Sequence, residues 1–408
     1  MTEPRIQRVA VTGVGLLTGL GLDVESTWAG LLAGLSPVKR FTLFDPEGLA
    51  CPFGVELPAG AAELFAATIK KRHRDQMTRG TMIAITAADQ AMADAGLGPG
   101  DVPPDRLGVV VGGTGTGYAP RTNEPDPHRI LRNMGNAPAS WIGLRHKAEG
   151  PVFLVSTACS SGAYAMHAAH ALIKGGVCDV VVTGAADSAC NYLDVEGFAA
   201  IMALSTDAAN MTTASRPFDR NRSGFVLAEG GGMLVLESTD HARRRGARIR
   251  AELSAPGLTS EAYNIVSPRP EGAIIARAMR LAVENAGLQP ADIDYINAHG
   301  TSTPLNDLCE TQAIKAVFGE RAYGIPVSST KSITGHCVSA AAGVEAVIAC
   351  LALERGVVPP TWNLTEPDPE LDLDYVPNAP RTHPMRHVMS NSFGFGGHNA
   401  SIVLSRPA

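Results

Sequence analysis

Residues 152–162 read VFLVSTACSSG, and residues 325–335 read IPVSSTKSITG. Each starts as a β-prone run, passes through a turn of small polar residues and a glycine, and leads into an alanine-rich helical stretch, 160–174 in the first case and 340–355 in the second. A strand feeding a helix through a small-residue turn, met twice, predicts an α/β chain built from two related halves. Such halves would bring the two turns together across a pseudo-twofold axis. The expected boundary lies near residue 250, with an N-terminal half 1–250 and a C-terminal half 251–408.

The flanking sequence has the same character. Strand-like runs fall at 8–12, 107–111, 179–183, 232–236, 295–298 and 401–404, with helical stretches at 81–95 and 273–286 between them. Residues 357–384 are proline-rich and read as a long surface connection. The whole chain has 408 residues, 45% of them hydrophobic and 18% charged, against about 25% charged in an average soluble domain. A large buried interior follows, and disorder is excluded. A net charge of −6 gives no global field for nucleic acid or an anionic membrane. The longest apolar run, 340–353, falls short of the ~20 residues a bilayer crossing requires. Seven scattered cysteines without a C-x-x-C pair suggest neither disulfides nor zinc and fit a reducing cytoplasm. The N-terminal 9–22 stretch lacks a cleavage site and reads as a strand, not a signal peptide.

Two glycine motifs are weak. VTGVG at 11–15 does not complete a dinucleotide fingerprint and reads as a strand stopped by a tight turn. GGTGTG at 112–117 lacks the ending of a phosphate loop and reads as close backbone packing. The arginines between 243 and 250 read as a solvated helix end. Cys159 is the stronger signal. It opens the helix after 152–155, where the N-terminal dipole favours a thiolate, although a buried inert cysteine shows the same pattern. His299 in NAHGTSTP and His336 in KSITGH supply partners, and NSFGFGGHN at 391–399 holds Phe393 and Phe395 among glycines, which suits a gate or an oxyanion-binding turn.

Cys159 in TACSSG, His299 in NAHGTSTP, Lys331 and His336 in KSITGH, and Phe393 and Phe395 in NSFGFGG resemble, in this order, the elongating β-ketoacyl-[acyl-carrier-protein] synthases, most closely type II. RPFDRNRSGFVLAEGGG at 216–232 and VPPTWNL near the C-terminus add to the likeness, which covers nearly the whole chain. The resemblance implies a thiolase fold, five layers α-β-α-β-α from two pseudo-duplicated halves, and an obligate dimer. It implies that Cys159 takes the acyl chain, that His299 and His336 hold the malonyl thioester oxygen, and that Lys331, supported by Glu345, stabilises the site. The N–H groups of Cys159 and Phe395 would form an oxyanion hole with Phe393 and Phe395 as gate, and Thr301 and Thr303 would bind pantetheine. No metal or free cofactor is implied, since the substrates ride on the phosphopantetheine of an acyl carrier protein. The partner subunit would be a second copy or a chain-length factor.

Several positions depart from the family pattern: Ser339 and Ala342 stand where glycine is frequent, Asn264 and Val266 replace a His and a Thr, and His398 replaces a threonine. These leave the chemistry intact and open the acyl preference, so fatty-acid elongation and a polyketide or polyene pathway both fit. A Cys-His-Asn condensing enzyme fits less well, as does a degradative thiolase, which uses a second cysteine where this chain has phenylalanine. A non-catalytic chain-length factor would lack Cys159. Finally, Lys70, Lys71, Arg72 and Arg74, with Arg79, form a local basic run suited to docking an acidic carrier, or simply a solvated helix entrance.

Overall fold

The computed structural model describes residues 8–114 and 126–407. The first half runs β1 (Val9–Leu17), α1 (Arg79–Asp94), β2 (Leu107–Gly112), α2 (Ala137–His146), β3 (Val152–Val155), α3 (Ser161–Lys174), β4 (Val180–Ser188) and β5 (Glu229–Ser238). The second half repeats the plan with β6 (Ala251–Leu253), β7 (Gly257–Ser260), α4 (Ala273–Asn285), β8 (Tyr295–Asn297), α5 (Pro304–Phe318), β9 (Val327–Ser328), α6 (Ala341–Arg355), β10 (His387–Gly394) and β11 (His398–Ser405).

Strand order makes the repeat explicit. The first half is ordered β3-β2-β4-β5-β1 and the second β9-β8-β10-β11-β6, with β7 also pairing β11. In each half the strand second from the end, β2 or β8, is parallel to both neighbours, and the returning strand, β5 or β11, is antiparallel. Antiparallel pairing of β1 with β6 joins the two into one hydrogen-bonded sheet of eleven strands among the described residues.

Helices α3 and α6 lie between the halves, since each touches strands of both. Helices α1 and α2 cover the outer face of the first sheet, and α4, with α5 beside it, covers that of the second. This is the five-layer thiolase fold. Position explains composition: α6 is buried from Ala341 to Leu353, so apart from Glu345 it is apolar all round.

Three readings from sequence change here. VTGVG is not a turn, because β1 continues through it to Leu17 with a bulge between Val11 and Gly13. A Cβ on Gly13 would lie 2.1 Å from the Ala91 carbonyl oxygen, and one on Gly15 2.0 Å from that of Ala87, so the glycines let α1 sit directly on the strand. The connection 357–384 is no mere surface loop. It buries Val358, Leu364, Leu371 and Tyr375, the last stacked on Phe218 at 3.9 Å. The arginine run is also only partly solvated, since Arg245 pairs with the buried Glu237 and Arg250 with Asp94 and Glu354. In the second glycine motif, a Cβ on Gly112 would meet the Gly162 nitrogen at 2.5 Å, so β2 packs closely on the start of α3. Residues 115–117 lie outside the described residues.

Candidate active site

The residues singled out above sit at the carboxyl ends of parallel strands, where open α/β sheets place their ligands. Cys159 lies in the turn between β3 and α3, just after Ala158, whose φ of +50° turns the chain sharply. His299 follows β8, while Lys331 and His336 follow β9, the counterpart of β3 in the second half. The two echoing turns therefore converge on one centre. Cys159, His299 and His336 are all buried, and their sulfur and nitrogen atoms lie within 4.8 Å of one another.

The contacts order the group. His336 Nε2 is 3.2 Å from Cys159 Sγ. The imidazoles meet edge to face, 5.5 Å between centroids, and Phe393 packs on His299 at 5.4 Å and Phe225 on His336 at 4.9 Å. Lys331 Nζ donates to the His299 carbonyl at 2.6 Å and to the Glu345 carboxylate. Glu345 is on α6, so its pairing with Lys331 runs from the central helix to the catalytic turn. Thr301 and Thr303 share a hydroxyl contact of 2.9 Å at the side of the cavity. The cavity has a volume of about 290 Å³ and reaches from Cys159 past Phe198, Phe225 and Val338.

Electrostatics sets the resting protonation. Burial pushes the Cys159 thiol up to about 11, against the pull of the Lys331 charge and of the N–H groups of Phe395 and of Cys159 itself. Desolvation thus opposes the stabilisation that the helix N-terminus offers the thiolate. Burial, followed by the Lys331 charge, holds both imidazoles well below their ordinary range, so both are neutral. Burial also pushes the Glu345 carboxyl up to about 7 despite its Lys331 partner. Each imidazole has a Nδ1 with no partner among the described residues, which leaves hydrogen-bonding capacity unused. The same thiol and two imidazoles are spaced as a set that could hold a soft cation.

Phe393 is buried at the end of β10, and Phe395 is half-buried in the hairpin to β11 and packs near Phe198 at 6.4 Å. Neither ring is exposed, although the glycines around them suit mobile backbone. Sequence reading missed Glu310 on α5. Its buried carboxylate accepts the N–H groups of His299 and Gly300, each at 2.8 Å, and Asn391 Nδ2 at 3.1 Å, so it fixes the backbone that carries His299. Eleven residues beyond the histidine, it looks in sequence like any helical acid.

Ser339, Asn264 and His398, three of the departing residues, make defined contacts. The Ser339 hydroxyl donates to Asp187 Oδ2 at 2.5 Å, and burial pushes that carboxyl up to about 6. Asn264 Oδ1 accepts the N–H groups of Val266 and Ser267 at 2.8 and 3.0 Å. His398 meets the Tyr164 ring edge to face at 5.9 Å. Of the basic run, Lys70, Lys71 and Arg72 are exposed and Arg74 is half-buried. They lie outside the catalytic cavity, beside a smaller groove of about 250 Å³ that includes Trp141 and Leu144. Arg79 is not part of that surface, because its guanidinium is held by the buried Glu229 at 2.6 and 2.7 Å.

Residues 7–242 match the family model described as beta-ketoacyl synthase, N-terminal domain, and residues 250–365 match the corresponding C-terminal domain. The chain belongs to the β-ketoacyl synthase family, a class of acyl-transferring condensing enzymes. It is 39% identical over 416 residues to the 3-oxoacyl-[acyl-carrier-protein] synthase 2 of Staphylococcus aureus strain N315, covering 98% of both chains. Among solved structures it resembles the ishigamide ketosynthase/chain length factor, with TM-score 0.89, 33% identity, and coverage of 98% of this chain and 100% of that one. It also resembles a type II polyketide synthase acyl-carrier protein in complex with its ketosynthase bound to the hexaketide, with TM-score 0.88, 32% identity and the same coverage. No helix among the described residues is long and apolar enough to cross a membrane.

Proposed function

We propose that the chain catalyses the decarboxylative condensation of malonyl-[acyl-carrier-protein] with an acyl group held on Cys159, yielding a β-ketoacyl-[acyl-carrier-protein] in fatty-acid elongation. The observation that carries this reading is the convergence of one thiol and two neutral imidazoles, within 4.8 Å, in a single buried cavity. Cys159 sulfur attacks the acyl thioester, the C–S bond to the carrier breaks, and the released carrier thiolate takes up the proton the cysteine gave. The N–H groups of Cys159 and Phe395 stabilise the tetrahedral oxyanion, and Phe393 and Phe395 gate the passage. Malonyl-carrier then enters with its pantetheine against Thr301 and Thr303. His299 and His336 donate to its thioester oxygen while the bond to the carboxylate breaks and carbon dioxide leaves. The enolate carbon attacks the acyl-cysteine carbonyl, a C–C bond forms, and the C–S bond to Cys159 breaks to leave a thiolate that takes a proton from water, restoring the cysteine. Lys331, with Glu345 behind it, provides fixed positive charge beside the histidines. No step is routed through a metal or free cofactor.

A ketosynthase subunit of a type II polyketide or polyene pathway is the second reading, favoured by the likeness to the ishigamide ketosynthase/chain length factor. Among the described residues, strand β3 ends the sheet with Phe153 exposed, an apolar edge suited to a second copy or a chain-length factor. The 1–250 and 251–408 halves are part of this reading, supported by the repeated strand order. Buried free thiols fit a reducing cytoplasm. The test of the function is two-carbon elongation of an acyl-carrier, read by intact mass.

The exposed Lys70, Lys71 and Arg72, with the half-buried Arg74, steer the carrier. Reversing all four charges should raise the KM for acyl-carrier several-fold at low salt, with the effect fading as salt rises, and leave acyl-pantetheine kinetics unchanged. An unchanged KM at low ionic strength would place the steering charges elsewhere.

A further inference from the structure

We propose that His398 is a positioning residue that fixes the Phe395 N–H beside Cys159; this deepens, and rests on, the condensing reaction proposed above. An oxyanion shared by two N–H groups needs both donors at set distances before the reaction begins. Here they ride on different elements. Cys159 stands just before α3, whereas Phe395 stands in the hairpin between β10 and β11, with its N–H directed at the Cys159 sulfur. A shift of either element against the other would spoil the pair.

The glycines of the hairpin show what it rests on. A Cβ on Gly394 would lie 2.6 Å from the Thr157 carbonyl oxygen and 3.1 Å from the Cys159 nitrogen, so the base of the hairpin lies on the nucleophile turn. One on Gly397 would lie 2.7 Å from Glu261 Cβ. One on Gly396, where φ is +85°, would lie 3.0 Å from His398 Cδ2 and 3.1 Å from its Nε2, so the imidazole backs the backbone next to Phe395. The same imidazole meets the Tyr164 ring edge to face at 5.9 Å. Tyr164 lies in the first turn of α3, and its hydroxyl donates to the Thr259 carbonyl at 3.2 Å. His398 therefore joins the hairpin that carries one oxyanion donor to the helix that starts beside the other.

The described residues that line the cavity include Gly394, Phe395 and Gly397 but not His398, so the imidazole acts through the hairpin and not on the substrate. A threonine, frequent in the family at this position, has no ring to place between Gly396 and Tyr164. The two half-reactions should feel the support differently. Acyl transfer to Cys159 uses the Phe395 N–H, whereas the malonyl thioester oxygen is held by His299 and His336 on other turns.

The test uses the full chain with His398→Ala, with Tyr164→Ala, with both, and with His398→Phe, which keeps a ring between Gly396 and Tyr164. Single-turnover acylation by acyl-carrier and carbon dioxide release from malonyl-carrier are measured on each. His398→Ala should slow acylation about ten-fold and leave carbon dioxide release within about two-fold, while His398→Phe should restore most of the acylation rate. Tyr164→Ala should slow acylation similarly and the double variant no further, because the two rings make one contact. An unchanged acylation rate in His398→Ala would overturn the proposal, as would equal loss of both rates, losses that add in the double variant, or a phenylalanine variant as slow as the alanine one. If the unsubstituted chain neither loads acyl groups nor releases carbon dioxide, the condensing reaction itself is overturned, and the role of His398 with it.

Discussion

Replacing Cys159 by alanine should abolish acyl loading and lower condensation by about four to six orders of magnitude, while malonyl decarboxylation continues. Loading needs the sulfur, because Cys159 is the one cysteine among the described residues that line the cavity, and burial drives the neighbouring Cys337 thiol far above the ordinary range. Decarboxylation needs donors to an enolate oxygen, and alanine leaves His299, His336 and Lys331 in place. Digestion after incubation with acyl-carrier should put the acyl mass on the Cys159 peptide of the unsubstituted chain and nowhere in Cys159→Ala. Persistent acylation in the variant, or acyl mass on the Cys337 peptide, would contradict the assignment.

The complementary result is expected from the histidines. His299→Ala should lower malonyl decarboxylation by about two to three orders of magnitude, the usual cost of removing an oxyanion donor, and leave acyl transfer to Cys159 within about ten-fold. His336→Ala should lose decarboxylation similarly and part of acyl transfer as well, since its Nε2 lies 3.2 Å from Sγ whereas His299 has no hydrogen bond to the sulfur. Rates of carbon dioxide release and of single-turnover acylation, measured separately, distinguish the two steps. Equal loss of both steps in His299→Ala would mean that the site had collapsed, not that labour is divided.

The centre was legible in the sequence because its geometry demands small residues. Cys159, His299 and His336 each stand in a turn of Ser, Thr, Ala and Gly at the end of a strand, and such turns leave a dense local signature. The duplication was legible for the same reason, since equivalent turns perform equivalent bends. What stayed hidden depends on tertiary neighbours. Gly13 and Gly15 resemble turn residues until α1 is seen lying on them. Glu310 resembles a surface acid until the His299 and Gly300 N–H groups point at it. Arg79 belongs by sequence to a basic run, yet Glu229, 150 residues away, holds it. At Cys159 the helix N-terminus is visible in sequence, whereas the burial that opposes it is a property of the whole fold.

The most direct test of the proposed condensation is intact-mass analysis of the carrier after the purified chain is mixed with acyl-carrier and malonyl-carrier. The proposal requires one carrier product bearing a β-ketoacyl group two carbons longer, formed in step with carbon dioxide release and absent with Cys159→Ala. Acyl exchange between thioesters without carbon dioxide release, or elongation that survives loss of Cys159, would contradict it.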